Sequence, residues 1–353
     1  MKKRILILVA MFLTLCASCD KKSITGNEDK IKCIVEGAVG TSNIDCAQYS
    51  PDGNKILFTV DSTVKICDAN NGTPLKTFKG DMELSSASWS PDGKTIAIAD
   101  KRIKLWNIET EEVRTLDTVD LQTEIFNGAD VHFSPKGDKL FASHGGGQRI
   151  QIWDIKTEKK LYEIIQDGNI SWSPDGNSIA VGTYAYYSSE KFVYELEDGT
   201  IVEDKGAGMP IDSILTIIDV NTGKTTKTFY KPTSDKKLQG KDDLVYSAEI
   251  SPNGKLLLSS GVDKTIKIWD IESTKLLKTL DFGEEIFMSK WSPDGSRIAS
   301  ISFGKTIKIY NAETGECLRT INDDYRPYSI SFSPDGTKIL TAGEKGFKIW
   351  GVE

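Results

Sequence analysis

The residues of this chain that most resemble catalytic machinery are His144, Gly145, Gly146 and Gly147. A His-Gly-Gly-Gly run can supply backbone amides that stabilise the oxyanion of an acyl-transfer intermediate. Such a site also needs a serine nucleophile within a Gly-x-Ser-x-Gly turn, and the sequence contains none. We therefore interpret the glycines as a loop between two strands, and we predict no catalytic residues.

Two further patterns suggest ligand binding but have simpler explanations. Gly223-Lys224-Thr225 resembles the end of a phosphate-binding loop, but the upstream glycine of that motif would fall at Ile218, inside an apolar run. The only histidines, His132 and His144, lie at opposite ends of neighbouring strand-like segments, too far apart to share a metal ion. We predict neither a metal site nor a cofactor.

The dominant pattern is a Ser-Pro-x-Gly turn that occurs seven times. Proline presets the backbone of such a turn, and glycine supplies the positive φ that a tight hairpin requires. Apart from one interval of 78 residues, the turns are 39 to 44 residues apart, which is the period of a four-stranded propeller blade. The turns begin at Ser50, Ser90, Ser134, Ser173, Ser251, Ser292 and Ser333.

Each turn is followed by an apolar run such as Leu256-Leu257-Leu258, which lacks polar alternation and so predicts a strand buried on both faces. A third strand follows, and its last two residues form a recurring dipeptide. These dipeptides are Cys67-Asp68, Trp106-Asn107, Trp153-Asp154, Ile218-Asp219, Trp269-Asp270, Tyr310-Asn311 and Trp350-Gly351.

With Trp153-Asp154 and Trp269-Asp270 as full matches to the signature dipeptide, residues 30–353 resemble the WD-repeat propeller family. The resemblance implies an all-β, seven-bladed propeller of four-stranded blades. The Gly-His pair that many members place before the first strand is absent, because neither histidine follows a glycine. We therefore expect the histidine-centred hydrogen-bond network of the family to be missing.

The two chain ends are predicted to complete one blade together. The last repeat stops after its third strand, while an unpaired strand-like run, Ile31 to Val35, precedes the first turn. We interpret this run as the missing fourth strand, which would close the ring and protect a sheet edge. The alternative is a linker strand without a partner.

The N-terminus has the features of a bacterial lipoprotein signal. Lys2, Lys3 and Arg4 precede an apolar segment from Ile5 to Leu15, which is too short to span a bilayer. Cys16-Ala17-Ser18-Cys19 resembles a lipobox with Cys19 as the lipid acceptor. We predict a signal peptide at residues 1–18 and a tether at 19–29, which would place the protein in the cell envelope, on the periplasmic or cell-surface side. The alternative is an ordinary secretory signal.

Composition limits the partners and the chemistry of the mature chain. Cleavage before Cys19 would remove three positive charges and no acidic residue, so the net charge of −7 would become −10. Such an acidic protein is a poor candidate for nucleic-acid binding. Four cysteines remain, namely Cys33, Cys46, Cys67 and Cys317, and we predict buried free thiols because no two of them lie within disulfide reach on the blade pattern.

The irregular segments give the best indication of a binding site. Residues from about 184 to 212 interrupt the fourth repeat between its second and third strands, and they contain a predicted hairpin with an Asp198-Gly199 turn. This insertion, the lysine-rich connection 230–245 and the His144 loop should lie at one end of the blades. Loops on a rigid scaffold often bind partners, although the insertion could also be a neutral decoration. The predicted partner-binding residues are Tyr184, Tyr186, Tyr187, Lys191, Tyr194 and His144.

The function predicted from these features is that of a non-enzymatic envelope lipoprotein that binds a protein or another ligand and that reaches the membrane through its lipid. The alternative is a propeller enzyme of lactonase or lyase type. Such an enzyme needs acids, histidines or a metal converging near the central channel, which is difficult to build with two histidines.

Overall fold

The computed structural model describes residues 33–38, 42–100, 102–116, 130–143, 149–165, 169–182, 193–195, 201–203, 215–230 and 244–352. In these residues the strands form seven four-stranded antiparallel sheets and one separate hairpin. The predicted all-β, seven-bladed propeller is confirmed. No helix in this part of the chain is long and apolar enough to cross a membrane.

Each blade runs outward from a first to a fourth strand. The first strands are Ala47–Tyr49 (β2), Ala87–Trp89 (β6), Asp130–Phe133 (β10), Asn169–Trp172 (β14), Val245–Ile250 (β20), Ile286–Trp291 (β24) and Pro327–Phe332 (β28). The second strands are Lys55–Val60 (β3), Thr95–Ala99 (β7), Lys139–Ser143 (β11), Ser178–Gly182 (β15), Leu256–Gly261 (β21), Arg297–Ser302 (β25) and Lys338–Gly343 (β29).

The outer strands follow in the same order. The third strands are Thr63–Asp68 (β4), Ile103–Asn107 (β8), Arg149–Asp154 (β12), Leu215–Asp219 (β18), Thr265–Asp270 (β22), Thr306–Asn311 (β26) and Gly346–Gly351 (β30). The fourth strands are Pro74–Lys79 (β5), Val113–Thr115 (β9), Lys159–Ile165 (β13), Thr225–Tyr230 (β19), Leu276–Asp281 (β23), Cys317–Asn322 (β27) and Cys33–Ala38 (β1). The separate hairpin consists of Val193–Glu195 (β16) and Ile201–Glu203 (β17).

The second and third strands contain the core. Ile56, Leu57 and Phe58 in β3 are all buried, as the unbroken apolar run predicted. Tryptophans near the ends of third strands form hydrogen bonds within their own blades. The Nε1 of Trp269 donates to Ser259 Oγ, and the Nε1 of Trp350 donates to Thr341 Oγ1, both at 2.9 Å. A buried indole thus satisfies its polar atom while it fills the space between blades.

The Ser-Pro-x-Gly turns fasten each blade to the one before it. In all seven turns the serine Oγ accepts a hydrogen bond from the backbone amide five residues later, at 2.9 to 3.0 Å. Each turn glycine has a positive φ, and a Cβ added to it would lie 3.3 to 4.0 Å from the proline Cδ of the preceding blade. The pair Gly53 and Pro334 joins blade 1 to blade 7 in this way, so the turns form a closed ring.

The N-terminal strand closes the last blade, as predicted. The fourth strand of blade 7 is β1, which pairs antiparallel with β30 and places Glu36 opposite Lys348. The strand begins at Cys33 and extends to Ala38, beyond the predicted end at Val35. Lys348 also forms an ion pair with the buried Asp323 at 2.6 Å, and its Nζ lies 4.5 Å from the centroid of the Tyr325 ring.

In blade 4 an insertion separates the second strand from the third. Its two ends leave β15 and β18, which pair directly with each other from Ser178 opposite Asp219 to Gly182 opposite Leu215. Between them, β16 and β17 pair antiparallel, with Tyr194 opposite Val202. The blade is therefore complete without the inserted residues.

Candidate binding face

The residues predicted to bind a partner fall mostly outside the described part of the chain. This is the case for Tyr184, Tyr186, Tyr187, Lys191 and His144, and also for the predicted lipid acceptor Cys19. Tyr194 lies in β16, for which the structure describes the backbone alone. The roles of these residues therefore stay predictions.

One end of the propeller can nevertheless be defined from the strands. We call it the insertion end: there the first strands begin, the second strands end and the third strands begin. Gly182 and Leu215, which flank the insertion, lie at this end because Gly182 also pairs with Asn169 at the start of β14. The Ser-Pro-x-Gly turns lie at the opposite end, where first strands pass into second strands.

Four aromatic side chains form a continuous stripe at the insertion end of blades 5 to 7. The ring of Phe303 lies 5.3 Å from that of Tyr246 and 5.2 Å from that of Phe287, and Phe287 lies 6.4 Å from Tyr328. All three contacts are edge-to-face, and all four residues are only partly buried. We call these residues the aromatic stripe.

A repeated backbone irregularity places three of the four rings. The pairing of the first strand with the second skips one residue in each of blades 5, 6 and 7, and the skipped residues are Tyr246, Phe287 and Tyr328. A bulge of this kind redirects a side chain out of the regular sheet. Phe303 joins them from the loop that follows β25.

The fold does not require aromatic residues at these positions. Each of the three lies five residues before the serine of its turn, and in the other four repeats that position holds Asp45, Ser85, Ala129 and Gly168. Blades therefore form with small or charged residues there. None of the stripe residues is among those predicted from the sequence, although an aromatic side chain at one offset in three consecutive repeats is a signal that could have revealed them.

Carboxylates cluster at the Tyr328 end of the stripe. Burial raises the pKa of the Tyr328 hydroxyl, and the nearby charge of Glu344 raises it further. Asp45 is exposed, but the loss of part of its hydration raises its pKa, and the nearby charge of Glu83 raises it further. Arg326 is the basic residue whose charge lowers the pKa of Tyr328, and its backbone amide donates to Glu344 Oε2 at 3.3 Å. Lys345 directly follows Glu344 in the chain.

The first strands also carry charged side chains nearer the channel. Nε2 of His132 lies 3.1 Å from Asp130 Oδ1, and Lys290 Nζ lies 3.3 Å from Glu249 Oε1. Withdrawal from water would raise the pKa of Asp130, but the charge and hydrogen bond of His132, together with the Ser86 hydroxyl and Lys290, lower it to about 2. The carboxylates of Asp130 and Glu249 therefore each have a partner, a histidine and a lysine respectively.

Ser86, Asp130 and His132 are not arranged as a nucleophile, its base and the group that orients the base. Ser86 Oγ donates to Asp130 Oδ1 at 2.6 Å, and His132 contacts that same oxygen. Hydrolytic activation requires the opposite order, in which the histidine accepts the serine proton and the carboxylate orients the histidine. Within the described ranges, no group of three or more His, Cys, Asp or Glu side chains could hold a metal ion.

None of the four cysteines in the described residues forms a disulfide, but one part of the prediction for them is wrong. Cys67 is buried, Cys33 and Cys46 are partly buried, and Cys317 is exposed. Cys317 begins β27, an outer strand whose outward positions face solvent, so the expected burial does not occur there. Burial raises the pKa of Cys46 to about 12, which keeps it a neutral thiol and a poor nucleophile.

Three segments of the chain match the family profile described as WD domain, G-beta repeat: residues 72–107, 233–270 and 315–351. Each match ends with the third strand of a blade, at Asn107, Asp270 and Gly351 respectively. Two of the matches, 72–107 and 315–351, join the fourth strand of one blade to three strands of the next, which agrees with the closure of blade 7 by β1.

Several curated proteins are similar to this chain. The WD repeat-containing protein AAC3 of Dictyostelium discoideum is 26% identical over 58% of this chain and 50% of its own length. The COMPASS component SWD3 of Saccharomyces cerevisiae is 28% identical over 66% of this chain and 67% of its own.

The THO complex subunit 3 of Arabidopsis thaliana is 27% identical over 56% of this chain and 66% of its own length. The chain therefore spans between one half and about two thirds of these relatives. The profile matches and the seven four-stranded blades together show a seven-bladed β-propeller with WD40 repeats.

Proposed function

We propose that this protein is a non-enzymatic scaffold that binds a protein partner at the insertion end of its propeller. The observation that carries the proposal is the aromatic stripe of Tyr246, Phe287, Phe303 and Tyr328, whose rings are partly exposed and in mutual contact. Contiguous aromatic surface on a rigid scaffold is typical of the centre of a protein interface.

The relatives support a role in assembly. Two of them are named as a COMPASS component and as a subunit of the THO complex, so both are parts of protein complexes. The likeness of this chain to them favours a comparable role, with a partner of its own.

The proposal places the scaffold at the bacterial cell envelope, held by a lipid on Cys19. This part is supported by the basic start, the short apolar segment and the Ala17-Ser18-Cys19 sequence. A lipid anchor would hold the propeller close to the membrane through a short polar tether and leave its ends free for a partner.

A comparison of crosslinked complexes tests the binding face. Wild-type protein and the variants Phe287→Ala and Leu277→Ala would be used to recover partners from detergent-solubilised envelopes. Leu277 is the matched control, because it is an apolar residue, 53% exposed, on the outer strand β23. We expect Phe287→Ala to lower the recovery of a specific partner at least about tenfold, as a central interface residue does. Equal recovery by all three proteins would contradict the proposed face.

A further inference from the structure

The chemistry around the aromatic stripe also indicates what kind of partner segment it would accept. We propose that the stripe receives a segment in which an aromatic or large aliphatic side chain lies next to an arginine or lysine. This inference rests on the proposed function, since it concerns the same face. It is carried by the acidic groups at one end of the stripe.

The charges at that end are unbalanced. The amide of Ile44 donates to the carbonyl of Gly343 at 3.1 Å, so Asp45 and Glu344 lie on two neighbouring bonded segments. Together with Glu83 they supply three carboxylates, against the two basic residues Arg326 and Lys345. The raised pKa of Asp45 reflects the proximity of a like charge after partial loss of hydration. A cation that arrived there would relieve this repulsion, whereas an anion would add to it.

The aromatic rings favour the same ligand. A guanidinium or ammonium group is attracted to the face of a tyrosine or phenylalanine ring, and arginine can stack on the ring while it bonds to a carboxylate. The scaffold already contains such contacts, since Lys308 lies 4.8 Å from the ring centroid of Phe282. In the stripe, the charge of Glu344 acts on Tyr328, and Glu344 Oε2 accepts from the amide of Arg326, two residues before that tyrosine, so one incoming cation could contact both a ring and a carboxylate.

The apolar part of the stripe would bind the aromatic or large aliphatic side chain of the partner segment. Phe287 and Phe303 lie at its centre, at a distance of 5.2 Å, and neither has a polar atom on its ring. An aromatic or large aliphatic side chain placed against them would lose its hydration and gain packing. The predicted order along the segment is therefore an apolar residue over blade 6 and a basic residue toward blade 7.

A synthetic peptide array can test this chemistry with defined probes. Each probe is a short glycine and serine peptide that carries one phenylalanine, leucine or serine, followed by arginine, lysine, glutamine or glutamate. The full-length protein in detergent is applied, and the best pairs are measured again by fluorescence anisotropy. We expect peptides with an apolar residue followed by arginine or lysine to bind at least about tenfold more tightly than their glutamate counterparts, and to weaken as salt rises.

Two variants locate the binding. Tyr328→Ala should weaken all apolar-basic peptides, while Glu344→Gln combined with Asp45→Asn should weaken the basic peptides by about tenfold and leave the glutamine peptides unchanged. The control Glu313→Gln with Glu316→Gln removes two exposed carboxylates at the opposite end and should change nothing. Circular dichroism and thermal melting confirm that each variant is folded.

The outcomes separate this inference from the proposed function. Binding that needs Tyr328 but shows no preference for basic peptides, or an array in which no pair binds, overturns the partner chemistry. If a partner recovered from envelopes still depends on Phe287, the proposed function stands. If basic peptides bind equally well to the Tyr328→Ala variant, the stripe is not their site and the inference is wrong.

Discussion

Ala47 and Ser329 are joined by two hydrogen bonds, although 282 positions separate them in the sequence. The amide of Ala47 donates to Ser329 Oγ at 3.1 Å, and the same hydroxyl donates to the carbonyl of Ala47 at 3.2 Å. The two residues belong to the first strands of blades 1 and 7. This buried pair therefore closes the inner ring of the propeller, as β1 closes its outer edge.

Removal of that hydroxyl should weaken ring closure. Ser329→Ala would leave the buried amide of Ala47 without its side-chain acceptor, which costs about 1–3 kcal/mol in the free energy of unfolding. The matched control is Ser331→Ala on the same strand, because Ser331 Oγ donates only to the adjacent carbonyl of Phe332, at 3.3 Å. Urea unfolding measures both variants, and equal effects would show that Ser329 has no special part in closure.

Deletion of residues 30–36 should be more damaging. It removes the pairing of β1 with Lys348, Ile349 and Trp350, and it exposes the edge of blade 7. We expect a loss of several kcal/mol, a large share of the stability of an ordinary domain. Deletion of residues 20–29 is the control. A melting temperature within a degree or two of wild type after the first deletion would contradict the closure of blade 7 by β1.

Low pH should destabilise the Ser-Pro-x-Gly turns, because protonation removes the charge of the aspartates that accept hydrogen bonds within them. Asp294 accepts hydrogen bonds from Ser292 and Ser296, which lower its pKa to about 2. Because this value lies below the ordinary 3.8, Asp294 contributes stability above pH 3.8 and loses it as the pH falls toward 2. Blade 5 has Asn253 in the same position with similar bonds, at 2.8 and 3.0 Å.

The variant Asp294→Asn should therefore fold, and its melting temperature should approach that of wild type as the pH falls from 6 to 2. The reciprocal variant Asn253→Asp should gain the same acid sensitivity in blade 5. A constant difference in melting temperature between wild type and Asp294→Asn over this pH range would show that the ionised carboxylate adds nothing to the turn.

Cys19→Ser should move the protein from the detergent phase to the aqueous phase in a two-phase partition, because the thiol is the predicted site of the lipid. The control is Cys317→Ser, which changes an exposed cysteine on the propeller. If wild type and Cys19→Ser partition alike, the lipid anchor is not at Cys19.

The architecture was predictable because each repeat carries its own local signals. Proline and glycine set the turn at Ser292, and the apolar run after it sets a buried strand, so neither depends on distant residues. The closing strand was predictable from the repeat that lacks a fourth strand. The C-terminal end of this strand, Ala38, was not predictable, because its pairing with Gly346 depends on the register of another strand.

The candidate site was harder to predict because it depends on contacts between repeats. A bulge directs Phe287 toward Phe303 and Tyr328, which come from another strand and another blade. The exposure of Cys317 has a similar cause, since the burial of an outer strand depends on what covers it. The residues of the insertion have unusual length and composition, which are visible in the sequence, but their contribution to binding stays a prediction.

Replacement of residues 188–210 by an Asn-Gly turn tests that contribution. The propeller should stay folded, because β15 and β18 pair with each other over their whole length and loop closure costs little at any length. Melting temperature checks this point. Binding of a partner recovered from envelopes should fall sharply, and Tyr186→Ala with Tyr187→Ala should reproduce part of the loss, at about 1–2 kcal/mol each if both are anchor residues.

Comparing the partner affinity of the shortened protein with that of Tyr328→Ala then shows which part of the insertion end contacts the partner. If the insertion and the stripe both contact the partner, each variant should weaken binding on its own, and the combined variant should weaken it further, because distant sites contribute almost additively. If the shortened protein folds and binds with native affinity, the insertion takes no part, and the aromatic stripe remains as the candidate contact at this end. If neither variant changes binding, the partner binds elsewhere, and the opposite end or the channel becomes the place to search.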